Sequence, residues 1–208
     1  ESPGALPKVE ASSIKKDLYR RDFTINALAV KLNPENFGQL LDFFGGQRDL
    51  REKNIRILHN LSFIEDPTRA FRAIRFSERF GFKLSKHTLN LIKTAVKIDL
   101  FNKLSGSRLY DELNLLFLEA EPLKAIKRMA EMDLLKFIYP TLILTDLLED
   151  TIKAIQETFA WYKLLFIEEQ INKSHLFLMS FFEELSPEEC EKALQRLSVP
   201  PRARNEII

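Results

Sequence analysis

From Ile64 onward, apolar residues recur at intervals of three and four, as in Leu89, Ile92 and Val96 and again in Leu109, Leu113 and Leu116. That spacing returns side chains to one face of a 3.6-residue helix, so it commits the chain to a mainly α fold with six to eight helices after residue 60. Loops are expected at Leu84-Ser85, at Ser105-Gly106-Ser107 and at Tyr139-Pro140. The front of the chain follows another pattern. Apolar stretches at 23–30 and 38–44 flank the turn formers Asn33-Pro34-Glu35-Asn36, which predicts a strand pair or a helix-strand pair. The first 13 residues, ESPGALPKVEASS, carry two prolines and no apolar period, and they read as a loop.

An apolar content of 45% over 208 residues supports one large core or two to three small ones. No apolar run reaches about 18 residues and no charged-then-apolar leader is present, so neither a membrane span nor secretion is expected. Cys190, the one cysteine, has no partner for an internal disulfide, which points to a reducing cytosol and a packing role. The formal net charge of +1 conceals a division: residues 1–110 hold 20 Lys and Arg against 12 Asp and Glu, and residues 111–208 hold 11 against 18. A basic front half favours phosphate-rich ligands through counterion release, although a solvated charged surface explains it equally well. His59, His87 and His175 lack metal-ligand spacing and read as surface or packing residues. Phe159, Tyr162 and Phe166 fall at helical spacing and read as core rather than as a base-stacking platform.

The stretch EDPTRAFRAIRF at 65–76 mixes two carboxylates with Arg69, Arg72 and Arg75. Pro67 suits the first helical position and makes Asp66 the N-cap. Ala70, Phe71 and Ile74 then share one side, while Arg69 and Arg72 lie on another near Glu65 and Asp66. A solvated, salt-bridged face accounts for this pattern. A second reading starts from donors and acceptors. An Arg that donates beside an Asp that accepts matches the pairing edge of adenine or cytosine, and mismatches guanine and uracil. On that reading Asp66 and Arg69 select the base, Arg72 buttresses them, and Arg75 is an ordinary surface cation.

Two further stretches, RRDFTINALA at 20–29 and DFFGGQRDL at 42–50, precede the charged helix. In this order and spacing the three resemble the class II tRNA nucleotidyltransferases and bacterial poly(A) polymerases, a family that includes CCA-adding and A-adding enzymes. EDPTRAFRAIRFSERFGF is closest to the subgroup that includes A-adding enzymes. The resemblance covers about residues 1–120. It implies the end of an α/β nucleotidyltransferase head over 1–54, a helical neck over 55–140 and part of a helical body over 141–208. It assigns Arg20 and Arg21 to the triphosphate, Asp22 and Asn26 to the ribose, and Asp66, Arg69 and Arg72 to the base. Asp42, Gly45 and Gly46 match the family's head-to-neck hinge, where a glycine pair allows a tight turn and Asp42 accepts its N–H groups. Arg108 and Glu112, at i and i+4 in SGSRLYDEL, match a later neck motif that supports the base-reading helix.

The family's metal site is expected to be missing. Its chemistry uses two carboxylates in a D-x-D arrangement to hold two Mg²⁺ ions, and no D-x-D or D-x-E occurs in this sequence. No catalytic or metal-ligating residue is therefore expected in this chain, which reads as lacking the first half of the head and as inactive alone. The resemblance implies a cytoplasmic enzyme that uses ATP, and CTP if it adds C, with Mg²⁺. It adds A, or C and A, to the 3′ end of tRNA or another RNA. A non-catalytic helical RNA-binding or interaction module is the rival reading, and nucleotide-selective binding separates the two.

Overall fold

The computed structural model of the chain describes residues 13–165 and 171–207. Of the loop expected over the first 13 residues, only Ser13 lies within that range, where its hydroxyl accepts from the Lys16 N–H and caps helix α1 (Ile14–Tyr19). A 3-10 turn, Thr24–Asn26, leads into β1 (Leu28–Val30), which pairs antiparallel with β2 (Leu40–Asp42), Leu28 lying opposite Asp42 and Val30 opposite Leu40. The two apolar stretches thus form a strand pair. The turn formers between them make a 3-10 turn, Pro34–Asn36.

The chain continues through α2 (Gly46–Arg51), β3 (Asn54–Ile55), α3 (Ser62–Glu65), α4 (Thr68–Phe80) and β4 (Lys83–Leu84). β4 returns parallel to β3, with Asn54 opposite Lys83 and Ile55 opposite Leu84. Leu84 is therefore a strand residue and not the expected loop; two residues are too few to display strand alternation. The remaining helices are α5 (Lys86–Lys97), α6 (Gly106–Phe117), α7 (Pro122–Glu131), α8 (Asp146–Tyr162), α9 (Lys173–Phe182), α10 (Pro187–Arg196) and α11 (Pro201–Ile207). Among the described residues nine α-helices follow residue 60, against six to eight expected. Short α3 and α11 escape a periodicity argument. Gly106 and Ser107 were expected in a loop, but they already belong to α6, whose N-cap is Ser105.

One apolar cluster runs from Phe23 to Ile207. Phe71 meets Phe101 edge-on at 5.6 Å, and Phe101 meets Phe137 at 5.1 Å, geometries that suit aromatic quadrupoles. The expected aromatic core stripe does not form: Phe159 and Tyr162 are only half-buried, and Phe166 lies outside the described residues. Cys190 is half-buried, and burial pushes its thiol pKa up, as fits a packing role. At the start of α6, a side chain on Gly106 would meet the Arg196 carbonyl of α10 at 2.0 Å, so the two helices touch through bare backbone.

α4 buries Ala70, Phe71, Ala73 and Ile74. It ends at Gly81, where φ is 63° and the Phe82 N–H reaches back to the Ser77 carbonyl at 2.8 Å. Its arginines turn toward α6. Arg72 reaches Glu112 at 3.1 Å, Arg75 reaches Glu112 at 3.5 Å and Glu119 at 3.2 Å, and Arg79 reaches Glu119 at 3.6 Å. This corrects the expectation for Arg75, which is 5% exposed and stacks its guanidinium 4.7 Å from the centre of the Phe76 ring. The spacing of Arg72, Arg75 and Arg79 follows one helix face, but only tertiary packing shows that α6 covers it with glutamates.

The turn after β2 is organised by Asp42. Its Oδ1 accepts from the Phe44 and Gly46 N–H groups at 3.3 and 2.8 Å, and its Oδ2 from Gln47 at 3.0 Å. Burial works to raise the Asp42 carboxyl, but the backbone donors prevail and hold it below the usual aspartate value. Gly45 takes a left-handed φ of 78°, and a side chain on Gly46 would meet the Thr24 carbonyl at 2.4 Å.

Two outcomes are expected. Glu112→Ala leaves Arg72 and Arg75 short of a buried partner and costs about 2–4 kcal/mol in urea unfolding, whereas Asp17→Ala, which breaks only exposed pairs, leaves the urea midpoint in place. Equal midpoints for both variants would show that the α4–α6 ladder contributes nothing net. Because the Asp42 carboxyl is depressed in the folded chain, its stabilisation is present above the unfolded value and is lost as pH falls through the folded one. Asp42→Asn is accordingly less stable than wild type at pH 7, and the gap begins to narrow below about pH 4 and closes only once the depressed folded value is passed. A gap constant from pH 7 to pH 2 would assign the effect to shape instead of charge.

Candidate functional site

Arg20, Arg21, Asp22, Asn26, Asp66, Arg69 and Arg72 line one cavity of about 480 Å³. Three segments supply them: the end of α1 with the residues after it, the 3-10 turn Thr24–Asn26, and the start of α4. These segments are tied by hydrogen bonds rather than by proximity in sequence. Arg69 Nη2 donates to the Arg20 carbonyl at 2.9 Å, and Arg72 clamps Asp22 Oδ2 through Nε at 2.9 Å and Nη2 at 2.7 Å. Burial opposes the charge on Arg72, but Asp22 and Glu112 outweigh it and raise its pKa.

Asp22 is the floor of this arrangement. Its Oδ1 accepts from the Phe23 N–H and from Asn26 Nδ2, both at 2.9 Å, and the residue is 8% exposed. Asp22 and Asn26 are thus joined, but not by sharing an α-helix face, because Asp22 precedes a 3-10 turn. Asn26 is exposed, and its Nδ2 is engaged by Asp22, which leaves its amide oxygen as the acceptor not used in that bond. Arg20 and Arg21 stand at the rim, their side chains 65% and 55% exposed, and share Asp17 at 3.1 and 3.3 Å. Exposed pairs of this kind contribute little and can be exchanged for an incoming anion.

Asp66 and Arg69 sit where α3 passes into α4. α4 begins at Thr68, one residue later than expected, with Pro67 at its cap position. The Asp66 carboxylate still serves the helix start: Oδ1 accepts from the Thr68 N–H at 3.1 Å and from the Thr68 hydroxyl at 2.5 Å. Arg108 Nη2 reaches the same oxygen at 2.7 Å. All of these contacts fall on Oδ1 and none on Oδ2. Arg69 is held by Ser62, whose hydroxyl and carbonyl oxygens accept from Nη1 at 2.9 and 3.3 Å, and by Glu65 at 3.5 Å. Its Nε and one Nη2 hydrogen make no hydrogen bond within the described residues.

One expectation is corrected. Among the described residues Arg72 makes no hydrogen bond or ion pair with Asp66 or Arg69; it belongs to the Asp22–Glu112 clamp, and Thr68 and Arg108 hold Asp66. Ser62 and Thr68, both buried, were missed as partners of the site. For Thr68 a signal existed: a Thr two residues after an Asp at a helix start regularly turns its hydroxyl and N–H onto that carboxylate. Ser62 lies seven residues before Arg69, and no local rule joins them.

The other polar groups lie apart from this cavity. His59 stacks on Tyr19 at 4.7 Å and approaches Glu65 at 3.3 Å without hydrogen-bond geometry. His87 bonds Asn60, and His175 bonds Glu206, each at 2.8 Å. Among the described residues no group of three or more His, Cys, Asp or Glu could hold a metal ion. These carboxylates therefore do not fit a Mg²⁺ site, and no chemical step is assigned to that ion. No helix among the described residues is long and apolar enough to cross a membrane.

Comparison with known proteins gives the cavity a context. The family described as "Poly A polymerase head domain" matches residues 2–56, and that described as "Probable RNA and SrmB- binding site of polymerase A" matches residues 81–144. An A-adding tRNA nucleotidyltransferase from Geobacter sulfurreducens is 51% identical over 100% of this chain and 24% of its own length. One from Aquifex aeolicus is 40% identical over 97% of this chain and 24% of its own. Among solved structures, a CCA-adding enzyme in apo form II is 44% identical with a TM-score of 0.88, covering 100% of this chain and 48% of that one. A CCA-adding enzyme in complex with ATP is 43% identical with a TM-score of 0.82, over 93% and 46% of the two chains. The Thermotoga maritima CCA-adding enzyme complexed with tRNA is 43% identical with a TM-score of 0.81, over 93% and 47%. The chain spans about a quarter of these curated relatives and about half of the solved chains. With both family descriptions matched in order and the fold shared along the chain, it belongs to the tRNA nucleotidyltransferase and poly(A) polymerase family.

Proposed function

We propose that this chain is the nucleotide-selecting part of a template-independent RNA nucleotidyltransferase that adds A, or C and A, to the 3′ end of tRNA. The observation that carries the reading is the cavity itself: Asp66 and Arg69 line it together, and among the described residues no hydrogen bond falls on Asp66 Oδ2 or on the Arg69 Nε, which leaves one acceptor and one donor for a ligand. An acceptor next to a donor complements the amino group and ring nitrogen of adenine or cytosine. Guanine and uracil would set carbonyl against carboxylate and N–H against N–H, at about 1–3 kcal/mol for each buried mispaired group.

The rest of the cavity suits the other parts of a nucleoside triphosphate. Arg20 and Arg21 exchange Asp17 for phosphate oxygens, since an exposed carboxylate pair is a weak competitor for a polyanion. The Asn26 amide oxygen is placed for a ribose hydroxyl, while Asp22, fully engaged, sets the floor. The turn at Asp42, Gly45 and Gly46 stands as the hinge between the head over 1–54 and the neck over 55–140, with a body over 141–208. Solved relatives in complex with ATP and with tRNA support a nucleotide and an RNA as ligands, and tRNA as substrate implies a cytoplasmic setting. Mg²⁺ belongs to this reading as the ion of the whole enzyme.

Equilibrium competition among ATP, CTP, GTP and UTP for the 208-residue chain tests the proposal. Wild type is expected to prefer ATP and CTP, and Asp66→Ala to lose that preference by roughly 5- to 150-fold, the factor that about 1–3 kcal/mol represents. A folded Ala variant with the preference unchanged would leave Asp66 as a helix cap only. RNA binding with no nucleotide preference in wild type would favour the rival, an RNA-binding module.

A further inference from the structure

We infer that Thr68 is a positioning residue that fixes which oxygen of Asp66 meets the base, an inference that rests on the reading of Asp66 as the base's acceptor. Two donors from Thr68 converge on Asp66 Oδ1, the N–H at 3.1 Å and the hydroxyl at 2.5 Å. The direction of the hydroxyl is set by chemistry. Arg108 Nη2 lies 3.4 Å from Thr68 Oγ1, and a guanidinium has no acceptor, so Oγ1 accepts from Arg108 and must turn its own proton to Asp66. Both Thr68 hydrogen bonds and the Arg108 ion pair thereby fall on Oδ1; among the described residues no hydrogen bond falls on Oδ2, the oxygen left for a ligand.

Thr68 and Arg108 do not share this task equally. The Arg108 side chain is 44% exposed on a flexible stem, whereas Thr68 is 3% exposed and has a single, β-branched χ1 angle to fix. Thr68 also sits on the first turn of α4, the helix that carries Arg69. The acceptor and the donor of the pair are therefore referenced to the same backbone. Without the hydroxyl, the Asp66 carboxylate keeps one rigid donor instead of two and can rotate about χ2, so that neither oxygen holds a fixed place beside Arg69.

The experiment measures affinities of the 208-residue chain for ATP, GTP and inorganic triphosphate. Thr68→Val removes the hydroxyl at nearly constant shape, Thr68→Ala does so without adding a methyl against the carboxylate, and Thr68→Ser restores it. The ATP-to-GTP preference is expected to fall about 5-fold or more in the Val and Ala variants, the equivalent of one lost buried hydrogen bond. Affinity for inorganic triphosphate should be unmoved, and the Ser variant should recover most of the wild-type preference. Unchanged preference in whichever of the Val and Ala variants folds would overturn the inference. So would a parallel loss for all three ligands, which marks a structural residue. Loss of folding in both, with a Ser variant that folds but does not discriminate, would also overturn it. If wild type itself shows no preference, the base-reading proposal fails and Thr68 falls with it; if wild type discriminates and Val does too, only Thr68 is wrong.

Discussion

The Arg72 guanidinium is the contact on which the rest of the arrangement depends. It joins Asp22 from the front of the chain to Glu112 from α6, across sequence separations of 50 and 40 residues, and α4 stands between them. Two carboxylates this close to one another would repel in a partly buried setting, and one planar cation with donors on three nitrogens satisfies both. Arg75 and Glu119 repeat the alternation one turn deeper. Removal of the ladder's buried members is the costly change, because loss of Glu112 or Arg75 leaves neighbouring charges short of a partner in a partly dry setting. The arginine-rich helix α4 is therefore an internal lattice as much as a ligand surface.

This division of labour explains the chemistry of the cavity. Arg72 and Arg75, on the face of α4 that meets α6, are spent on protein carboxylates; those at the rim, Arg20 and Arg21, hold only an exposed aspartate. Charge available to a ligand increases outward, from a neutralised floor to a cationic mouth, which is the gradient a nucleotide needs if its base enters first and its phosphates stay near water. Asp66 and Arg69 lie on the inner side of that mouth, their side chains 25% and 11% exposed. Each is held by backbone and hydroxyl groups on one side and is open on the other, so selectivity arises from what the protein leaves unpaired.

The sequence discloses the ingredients more fully than their wiring. Helical periodicity identifies α4, α5 and α6, because long amphipathic segments declare their faces. The strand pair around Asn33–Asn36 is legible from its turn formers, while β3 and β4 are not, since a two-residue parallel strand leaves no pattern. All seven cavity residues are recognisable from two short motifs. Their roles within the protein are not, because pairing of Arg72 with Asp22, or of Arg69 with the Arg20 carbonyl, depends on how segments nearly 50 residues apart dock. Arg75 shows the limit: on a helical wheel it is one more polar position, and only the glutamates of a distant helix make it a buried one.

Gly106 lies far in sequence from the cavity, yet it sets a mechanical datum for it. The first turn of α6 rests on the bare carbonyl at the end of α10, and Arg108 and Glu112 ride on that same rigid rod, two and six residues further along. A single methyl group at position 106 has nowhere to go except by pushing the rod off its seat. The displacement would be delivered to the two side chains that brace Asp66 and Arg72, so the selectivity of the cavity has a tolerance measured at a contact that no nucleotide touches.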